Sequence, residues 1–380
     1  MLKKIDKPLL IISFALFVFG LIMILSASSM ESYMRYDASP YHYFIRQAIF
    51  LGVGFVAFIF VIFFPTKNYK PLANILIIII SLILFALTLW GYSANSAQSW
   101  FSIGPFNIQP SEFTKVIIII YLAIYYEKHK NELDNPWILI KPILFCVVIA
   151  ALVAIQPDLG TAGIVVLMSL IIFYSLPMSK KAKSTFNKLF LVIILVFLAV
   201  LVTTKGSFLK DYQLQRFNFL DPCDRYQEES GYQLCNSFIA FKNGGLTGQG
   251  VGESTQKYLY LPESYTDFIF PIIVEEWGLI VGILIIVLLF VVLYRLLKIA
   301  THAPNIRCSL IAYGVFSYVF LHIAINLIGV MGLGPLTGVP LPFLSYGGSY
   351  ALSLCIALGL AQRVAIESNA VKKSKKLKKK

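Results

Sequence analysis

Long apolar runs alternate with short polar segments along most of the chain. A run of about 20 apolar residues is long enough to cross a bilayer as a helix. The pattern predicts ten such helices, near residues 8–28, 47–65, 71–92, 111–126, 142–156, 160–177, 188–204, 268–294, 308–331 and 347–365. The predicted fold class is therefore an all-α polytopic membrane protein.

Composition and charge agree with this class and orient the helices. A mean hydropathy of +0.77 and a charged fraction of 13% exclude a single soluble domain of 380 residues. Ten spans put both termini on one side, and a cytoplasmic assignment places most Lys and Arg residues inside, as the positive-inside rule requires. The net charge of +13 then reflects topology, and no nucleic-acid partner is predicted. We interpret residues 1–365 as one ten-helix domain and residues 366–380 as a basic cytoplasmic tail.

The predicted outer side carries most of the irregular, Gly- and Pro-rich sequence. Its longest segment, residues 205–267 between helices 7 and 8, is too rich in aromatic residues to be disordered and is predicted to fold over the membrane surface. Cys223 and Cys235 lie in this segment. An oxidising exterior permits a disulfide there, but the spacing leaves open whether one forms. The other cysteines lie in or beside predicted spans and are expected to be buried: Cys146, Cys308 and Cys355.

Two charged residues lie at the start of the fourth predicted span. Pro110 is typical of a first helical turn, which places Glu112 in that turn. Glu112 and Lys115, three positions apart, are predicted to pair, and Asp158 is a second candidate partner for Lys115. These charges either serve structure alone or line a polar cavity for an anionic ligand. Trp100, just before this helix, is either an interfacial anchor or a contact for a sugar or lipid.

A second acidic group surrounds the start of the eighth predicted span, in LPESYTDFIFPIIVEEWG. Thr266 is predicted to cap this helix and Asp267 to open it, and such capping is one complete explanation of the carboxylate. Glu263 precedes them by a few residues, and Glu275 and Glu276 follow within the apolar helix. Acidic side chains in hydrocarbon need a pathway, a cation or a partner, so the alternative is a functional site.

The segment between the last two predicted spans cannot be a continuous helix, because it contains Pro340 and Pro342. We expect residues 332–346 to form a re-entrant or tightly folded segment that lines one wall of a site, since such backbone needs protein or water around it. His322 and Asn326, one helical turn apart in the ninth span, are expected to form hydrogen bonds between helices.

Four segments resemble the SEDS family of shape, elongation, division and sporulation proteins, typified by FtsW and RodA. They are WFSIGPFNIQPSEFTK, QPDLGT, GYQLCNSFIAFKNGGLTGQGVGESTQKYLYLPESYTDFIF and GVPLPFLSYGGS. Their order and predicted outer placement extend the resemblance over nearly the whole chain. The run GQGVGESTQKYLYLPES is closer to FtsW and GVPLPFLSYGGS to RodA, and we favour the division type.

The resemblance implies a peptidoglycan glycosyltransferase in the bacterial cytoplasmic membrane. Such an enzyme polymerises lipid II into undecaprenyl-pyrophosphate-linked glycan and works with a class B penicillin-binding protein and other division or elongation membrane proteins. By motif, Asp267 corresponds to the family's essential outer-loop aspartate and is the candidate catalytic base. Tyr265 replaces the histidine of the commoner HTDFIF motif, so help from that neighbour cannot be assumed. The resemblance implies substrate-binding roles for Trp100, Gln109, Glu112, Lys115, Asp158, Glu263 and Ser345.

The implied reaction needs a base for the acceptor hydroxyl and positive charge for the departing pyrophosphate. That charge is expected from Lys115, from outer-loop arginines such as Arg46 or Arg216, or from a divalent cation such as Mg²⁺ or Mn²⁺. No cofactor and no metal-ligand set are assigned. Two other functions remain open: a lipid II flippase, which needs a polar path across the whole bilayer, and a noncatalytic scaffold, which needs no acidic pocket.

Overall fold

The computed structural model describes residues 4–90, 92–94, 97–104, 106–203 and 218–377. Within these residues, helices form along every predicted span. They are α1 (Lys7–Tyr36), α2 (His42–Phe63), α3 (Ala73–Trp90), α4 (Pro110–Lys128), α5 (Pro136–Ile155), α6 (Leu159–Tyr174), α7 (Lys180–Thr203), α8 (Glu229–Gly244), α9 (Ile269–Thr301), α10 (Ile306–Val330) and α11 (Gly348–Leu377). The additional helix, α8, lies in the predicted outer segment. The last helix continues to Leu377, beyond residue 366, where the tail was expected to begin.

Seven helices in the described part of the chain are long and apolar enough to cross a membrane: α1, α2, α3, α5, α9, α10 and α11. Helix α6 is apolar but shorter, and α4 carries four charged residues. In the most apolar stretch of α11, 89% of the residues are buried, against 28% in α2 and in α3. Helix α11 therefore lies at the centre of the bundle, and α2 and α3 lie at its lipid-facing edge.

A small β-sheet between α3 and α4 corrects the all-α prediction. It comprises β1 (Tyr92–Ala94), β2 (Ala97–Ile103) and β3 (Phe106–Ile108), antiparallel in the order β1-β2-β3. Gly104, with φ of 59°, lies in the turn between β2 and β3. Strands of three to seven residues are too short to show a clear alternation of polar and apolar positions, which is why the sequence did not reveal them.

One end of the bundle is joined by ion pairs between helix ends. Arg307, at the start of α10, donates two hydrogen bonds of 2.8 and 2.7 Å to Glu127 at the end of α4. Arg295 of α9 pairs with Asp6, the residue that caps α1. Glu367 of α11 accepts hydrogen bonds from the 3₁₀ turn Thr66–Tyr69. The sheet, α8 and the segment before α11 lie at the opposite end.

Residues 218–267, the described part of the predicted outer segment, fold around α8 and a disulfide. The sulfurs of Cys223 and Cys235 are bonded, with their Cα atoms 4.9 Å apart, so the question that the sequence left open is answered. Helix α8 packs on the end of α10, where the Ser237 hydroxyl donates to the carbonyl of Val330 at 2.8 Å. The three free cysteines of the described chain are buried, as predicted.

Helix α9 is broken at Gly278, whose φ of 82° and ψ of 168° are not helical. Residues 245–250 lie against the break and form four backbone hydrogen bonds of 2.9 to 3.2 Å with the helix on either side of it. These bonds satisfy backbone groups that hydrocarbon would leave unpaired. A Cβ atom at Gly278 would lie 2.3 Å from the carbonyl oxygen of Leu246, so a glycine is required there.

Candidate active site

Asp267 lies half-buried in the turn that leads into α9. The side-chain amide of Asn326, on α10, donates to the carbonyl of Asp267 at 2.7 Å and to that of Val339 at 2.8 Å. One amide group therefore joins the candidate base to the segment before α11. Asn326 was predicted to bond to another helix, and it does form hydrogen bonds, but its acceptors lie in the turn before α9 and in the segment before α11.

The residues before α9 do not cap it in the predicted way. The helix begins at Ile269 and its N-cap is Phe268, without a side-chain capping bond. The Thr266 hydroxyl lies instead 2.7 Å from Oε2 of Glu263 and 3.2 Å from Oδ1 of Asp267. The capping prediction for Thr266 is wrong because residues 263–268 form a separate turn, in which the amides of Thr266 and Phe268 donate to the carbonyl of Glu263.

Residues 337–340 form a wall beside Asp267. A Cβ atom on Gly338 would lie 3.9 Å from Oδ2 of Asp267. On its other side the segment meets the first turn of α6, where a Cβ atom on Gly160 would lie 2.8 Å from the carbonyl oxygen of Thr337. The prediction that this part of the chain departs from helix is confirmed.

Lys115 is completely buried, and its ammonium contacts both a carboxylate and an imidazole ring. Its ammonium lies 2.8 Å from Oε1 of Glu112, which confirms the predicted pair, and 3.0 Å from Nε2 of His322. The rings of Tyr318 and Tyr350 lie 5.3 and 5.8 Å from the same nitrogen. A lysine ammonium can only donate, so Nε2 of His322 accepts, and the ring proton lies on Nδ1, 3.3 Å from the carbonyl of Pro340. His322 thereby connects α4 to the wall beside Asp267.

Asp158 and Gln109 join three elements near this pair. Asp158 caps α6 by accepting from the amide of Thr161 at 3.0 Å, and its other oxygen accepts from the side chain of Gln109 at 3.0 Å. The backbone amide of Gln109 donates to Ser349 on α11 at 2.9 Å. Within the described residues the ion pair of Lys115 is formed with Glu112, so the alternative pairing with Asp158 is not observed.

Two further predicted residues lie apart from these contacts. Trp100 is half-buried in β2, opposite Tyr92. Ser345 is buried, and its hydroxyl oxygen accepts from the amide of Leu341 at 2.8 Å, which stabilises the turn before α11. Contact of either residue with substrate stays a prediction.

A tyrosine cluster beside Asp267 was missed by the sequence interpretation. The ring of Tyr265 lies 4.5 Å from that of Tyr43 and 5.7 Å from that of Tyr346, and the amide of Tyr346 donates to the carbonyl of Tyr265. Burial raises the pKa of Tyr265 and of Tyr346, so both phenols stay protonated at neutral pH. The positive charge of Arg46 lowers the pKa of Tyr346 and so opposes the effect of burial. Aromatic residues this far apart in sequence give no local signal of contact.

The acidic pair inside α9 has protein partners. Glu276 pairs with Lys257 at 2.9 Å and accepts from Ser26 at 2.6 Å. Glu275 accepts from Asn243 and Thr255, both at 2.9 Å. These carboxylates were expected to need partners, and the predicted outer segment and α1 supply them. The resulting contacts stabilise the broken helix α9.

Similarity to known proteins extends over almost the whole chain. The family model described as cell cycle protein, which covers FtsW, RodA and SpoVE, matches residues 7–370. The chain is 38% identical to the probable peptidoglycan glycosyltransferase FtsW of Bacillus subtilis (strain 168), covering 100% of this chain and 94% of that protein. It is 35% identical to stage V sporulation protein E of the same organism, covering 95% and 96%.

Solved structures have the same fold. The rod shape determining protein RodA of Thermus thermophilus aligns with a TM-score of 0.64 at 22% identity, over 95% of this chain and 96% of that one. A chain from a peptidoglycan synthase complex that coordinates polymerization and crosslinking aligns with a TM-score of 0.75 at 24% identity, over 96% and 98%. Together with the full-length relatives, the family match shows that the chain belongs to the FtsW, RodA and SpoVE family of cell cycle proteins and is FtsW-like within it.

Proposed function

We propose that this multi-pass protein of the bacterial cytoplasmic membrane is a peptidoglycan glycosyltransferase that polymerises lipid II into glycan strands on the outer face. The relatives that share its full length carry that activity in their names. One observation carries the assignment within the structure. Asp267 is a half-buried carboxylate whose backbone is held by Asn326 and whose side chain faces the Gly338 wall.

Asp267 acts as the general base. An α-linked pyrophosphate donor that gives a β-linked glycan requires inversion, hence one displacement. The acceptor hydroxyl oxygen bonds to the anomeric carbon, the bond from that carbon to the pyrophosphate oxygen breaks, and the hydroxyl proton moves to the Asp267 carboxylate. The Thr266 hydroxyl lies within hydrogen-bonding distance of Glu263 and of Asp267, so Glu263 helps to position the Asp267 carboxylate through Thr266.

The departing pyrophosphate needs positive charge. Lys115 has no exposed surface and is held by Glu112, so it organises the wall of the site without touching the donor. Arg46, next to Tyr346 in the tyrosine cluster, is the better candidate, whereas Arg216 lies outside the described residues.

Mg²⁺ or Mn²⁺ is the alternative source of charge. In the described part of the chain, no three or more His, Cys, Asp or Glu side chains converge on one point. Mg²⁺ is usually bound through one or two carboxylates together with substrate phosphates, which suits Glu263 and the donor. Such a cation would neutralise charge that develops on the pyrophosphate.

The topology proposal has ten spans, α1–α7 and α9–α11, with both termini in the cytoplasm. Residues 1–365 then form one ten-helix domain, residues 205–267 lie outside, and residues 366–380 form a basic cytoplasmic tail. The ion pair of Arg307 with Glu127 lies at the end of the bundle opposite to Asp267, which supports this topology. A membrane-impermeant maleimide should label a cysteine at exposed Tyr260 in intact cells and not one at exposed Lys130; the reverse pattern contradicts the topology.

The partner we propose is a class B penicillin-binding protein, with other division or elongation membrane proteins around it. A protein of the same fold was solved within a peptidoglycan synthase complex, which supports an assembly of this kind. Lipid-facing helices with many exposed apolar side chains, such as α2 and α3, offer surfaces for a partner's membrane helix.

Polymerisation of purified lipid II by the protein with its partner tests the assignment. We expect Asp267→Asn to lower the rate at least about 100-fold, because general base catalysis typically contributes that much. Asp224→Asn, which removes an exposed carboxylate of the outer segment, should leave the rate unchanged. Full activity of the Asp267 variant would remove the base assignment. Lipid II translocation by liposomes that contain this protein alone would favour the flippase, and an inactive wild-type complex would favour the scaffold.

A further inference from the structure

A groove of about 520 Å³ lies between α3, α4 and α5, at the end of the bundle away from Asp267. Helix α4 joins the two places, because its first turn holds Glu112 and its last turn, with Lys128, lines the groove. At 1.5 Å per residue these two positions are roughly 24 Å apart. The groove is therefore separate from the candidate active site.

Three lysines line this groove: Lys70, Lys128 and Lys141. Glu127, a carboxylate on the same wall, is already held by Arg307 with two hydrogen bonds, and Lys70 lies 3.2 Å from it. Within the described residues, Lys128 and Lys141 take part in no ion pair. Glu132 acts electrostatically on the lining residue Tyr125, yet the three lysines outnumber the two carboxylates, so the groove keeps a positive charge.

The wall of the groove toward the middle of α4 is partly apolar. Tyr121 and Ile124 line it one to two turns before the end of α4. On the flanking helices, Ile78 lies one turn beyond the lining residue Asn74, and Leu144 lies three residues beyond Lys141. Ile78 is 56% exposed and Leu144 49% exposed, as expected for side chains that contact lipid. Cationic groups at the mouth and apolar walls below match a molecule with an anionic head and an acyl chain.

We propose that this groove binds an anionic glycerophospholipid, such as phosphatidylglycerol, from the adjacent leaflet. Lys128 and Lys141 contact the lipid phosphate, and Tyr121 and Ile124 cover the upper part of an acyl chain. Basic pockets between membrane helices bind anionic head groups in this way. A soluble anion would use the lysines and leave the apolar wall without a function, which is why a lipid is the better occupant. The site does not depend on the proposed glycosyl transfer.

The test measures binding of phosphatidylglycerol to the full-length protein in detergent by native mass spectrometry, with phosphatidylcholine as the neutral lipid. Each lysine near an anionic head group contributes about five-fold in affinity, so Lys128→Gln with Lys141→Gln should weaken binding about 25-fold. Lys180→Gln with Lys181→Gln removes the same charge from the exposed start of α7, outside the groove, and should change affinity less than two-fold. An equal loss in both double variants would overturn the proposal, because the lipid would then follow surface charge alone.

A shape variant separates the groove from its charge. Asn74→Trp keeps all the lysines and fills the groove from α3, so it should release phosphatidylglycerol while thermal stability in neutral detergent stays unchanged. Retention of the lipid by this variant would show that the groove is not the site. Inorganic phosphate, used as a competitor, should displace the lipid only weakly; displacement at concentrations matching the lipid would assign the lysines to a free anion and refute a lipid site.

Discussion

The buried pair of Glu112 and Lys115 gives the sharpest prediction on stability. We consider Glu112→Gln, which keeps the shape of the side chain and removes its charge. The ammonium of Lys115 then has no carboxylate at 2.8 Å. The charge of Asp158 acts on Glu112, but Asp158 forms no ion pair with Lys115 in the described chain. The remaining contacts of the ammonium there are the neutral ring of His322 and two tyrosine rings more than 5 Å away. Neither contact neutralises a full charge.

The expected loss is large because both side chains are buried: the exposed fraction is 0% for Lys115 and 4% for Glu112. Removal of one partner of a buried ion pair typically costs about 3–5 kcal/mol, since the other charge stays buried without compensation. Removal of both, in Glu112→Gln with Lys115→Met, leaves no uncompensated charge and is expected to be close to neutral. The single variant should therefore be less stable than the double variant.

Thermal unfolding of the purified protein in detergent measures the effect. At about 2 °C per kcal/mol for a chain of this size, Glu112→Gln should lower Tm by about 6–10 °C, and the double variant should recover most of that loss. The outer pair of Arg225 and Glu228 is a matched control, with the same spacing and a distance of 2.9 Å but exposed fractions of 17% and 37%. Glu228→Gln should cost less than about 1 kcal/mol. A double variant no more stable than Glu112→Gln would refute the reasoning.

Three further variants test other parts of the structure. Asn326→Leu leaves two backbone carbonyls without their donor, so we expect the free energy of unfolding to fall by about 1–3 kcal/mol. The polymerisation rate should fall roughly 10- to 100-fold, because Asp267 loses its support. Wild-type values for both would contradict the positioning role of Asn326. Cys223→Ser with Cys235→Ser opens a loop whose closure is worth about 3 kcal/mol, which should appear as faster proteolysis of the outer segment and not of the bundle. Gly278→Ala places a Cβ atom 2.3 Å from a carbonyl oxygen at a positive φ and should cost about 2–5 kcal/mol of stability. Gly163→Ala is the control, because open space surrounds that position and α6 should not be destabilised. Equal stability of the two variants would exclude the break in α9.

Residues that act through local sequence were predicted correctly. Pro110 begins α4, and Glu112 meets Lys115 one turn apart, because both follow from helix geometry alone. Every predicted span lies on a helix, since partition of about 20 apolar residues into a bilayer depends on the run itself and not on its neighbours. The carboxylate of Asp267 was found by its motif, yet the predicted cap was wrong, because Thr266 bonds to Glu263 and Asp267 within the turn 263–268 and not at the helix start. Both arrangements use residues close in sequence, so the local pattern could not choose between them.

The sequence by itself determined the membrane class, the positions of the helices and the candidate carboxylate, because these depend on composition, apolar runs and short spacings. Tertiary structure alone decided the contacts across the bundle: the amide of Asn326 on the Asp267 carbonyl, and Ser26 with Lys257 on Glu276. These partners are separated by 19 to 250 residues, and their contact depends on how helices pack. No local pattern encodes that packing, so the partners of these buried polar groups could be found only in the fold.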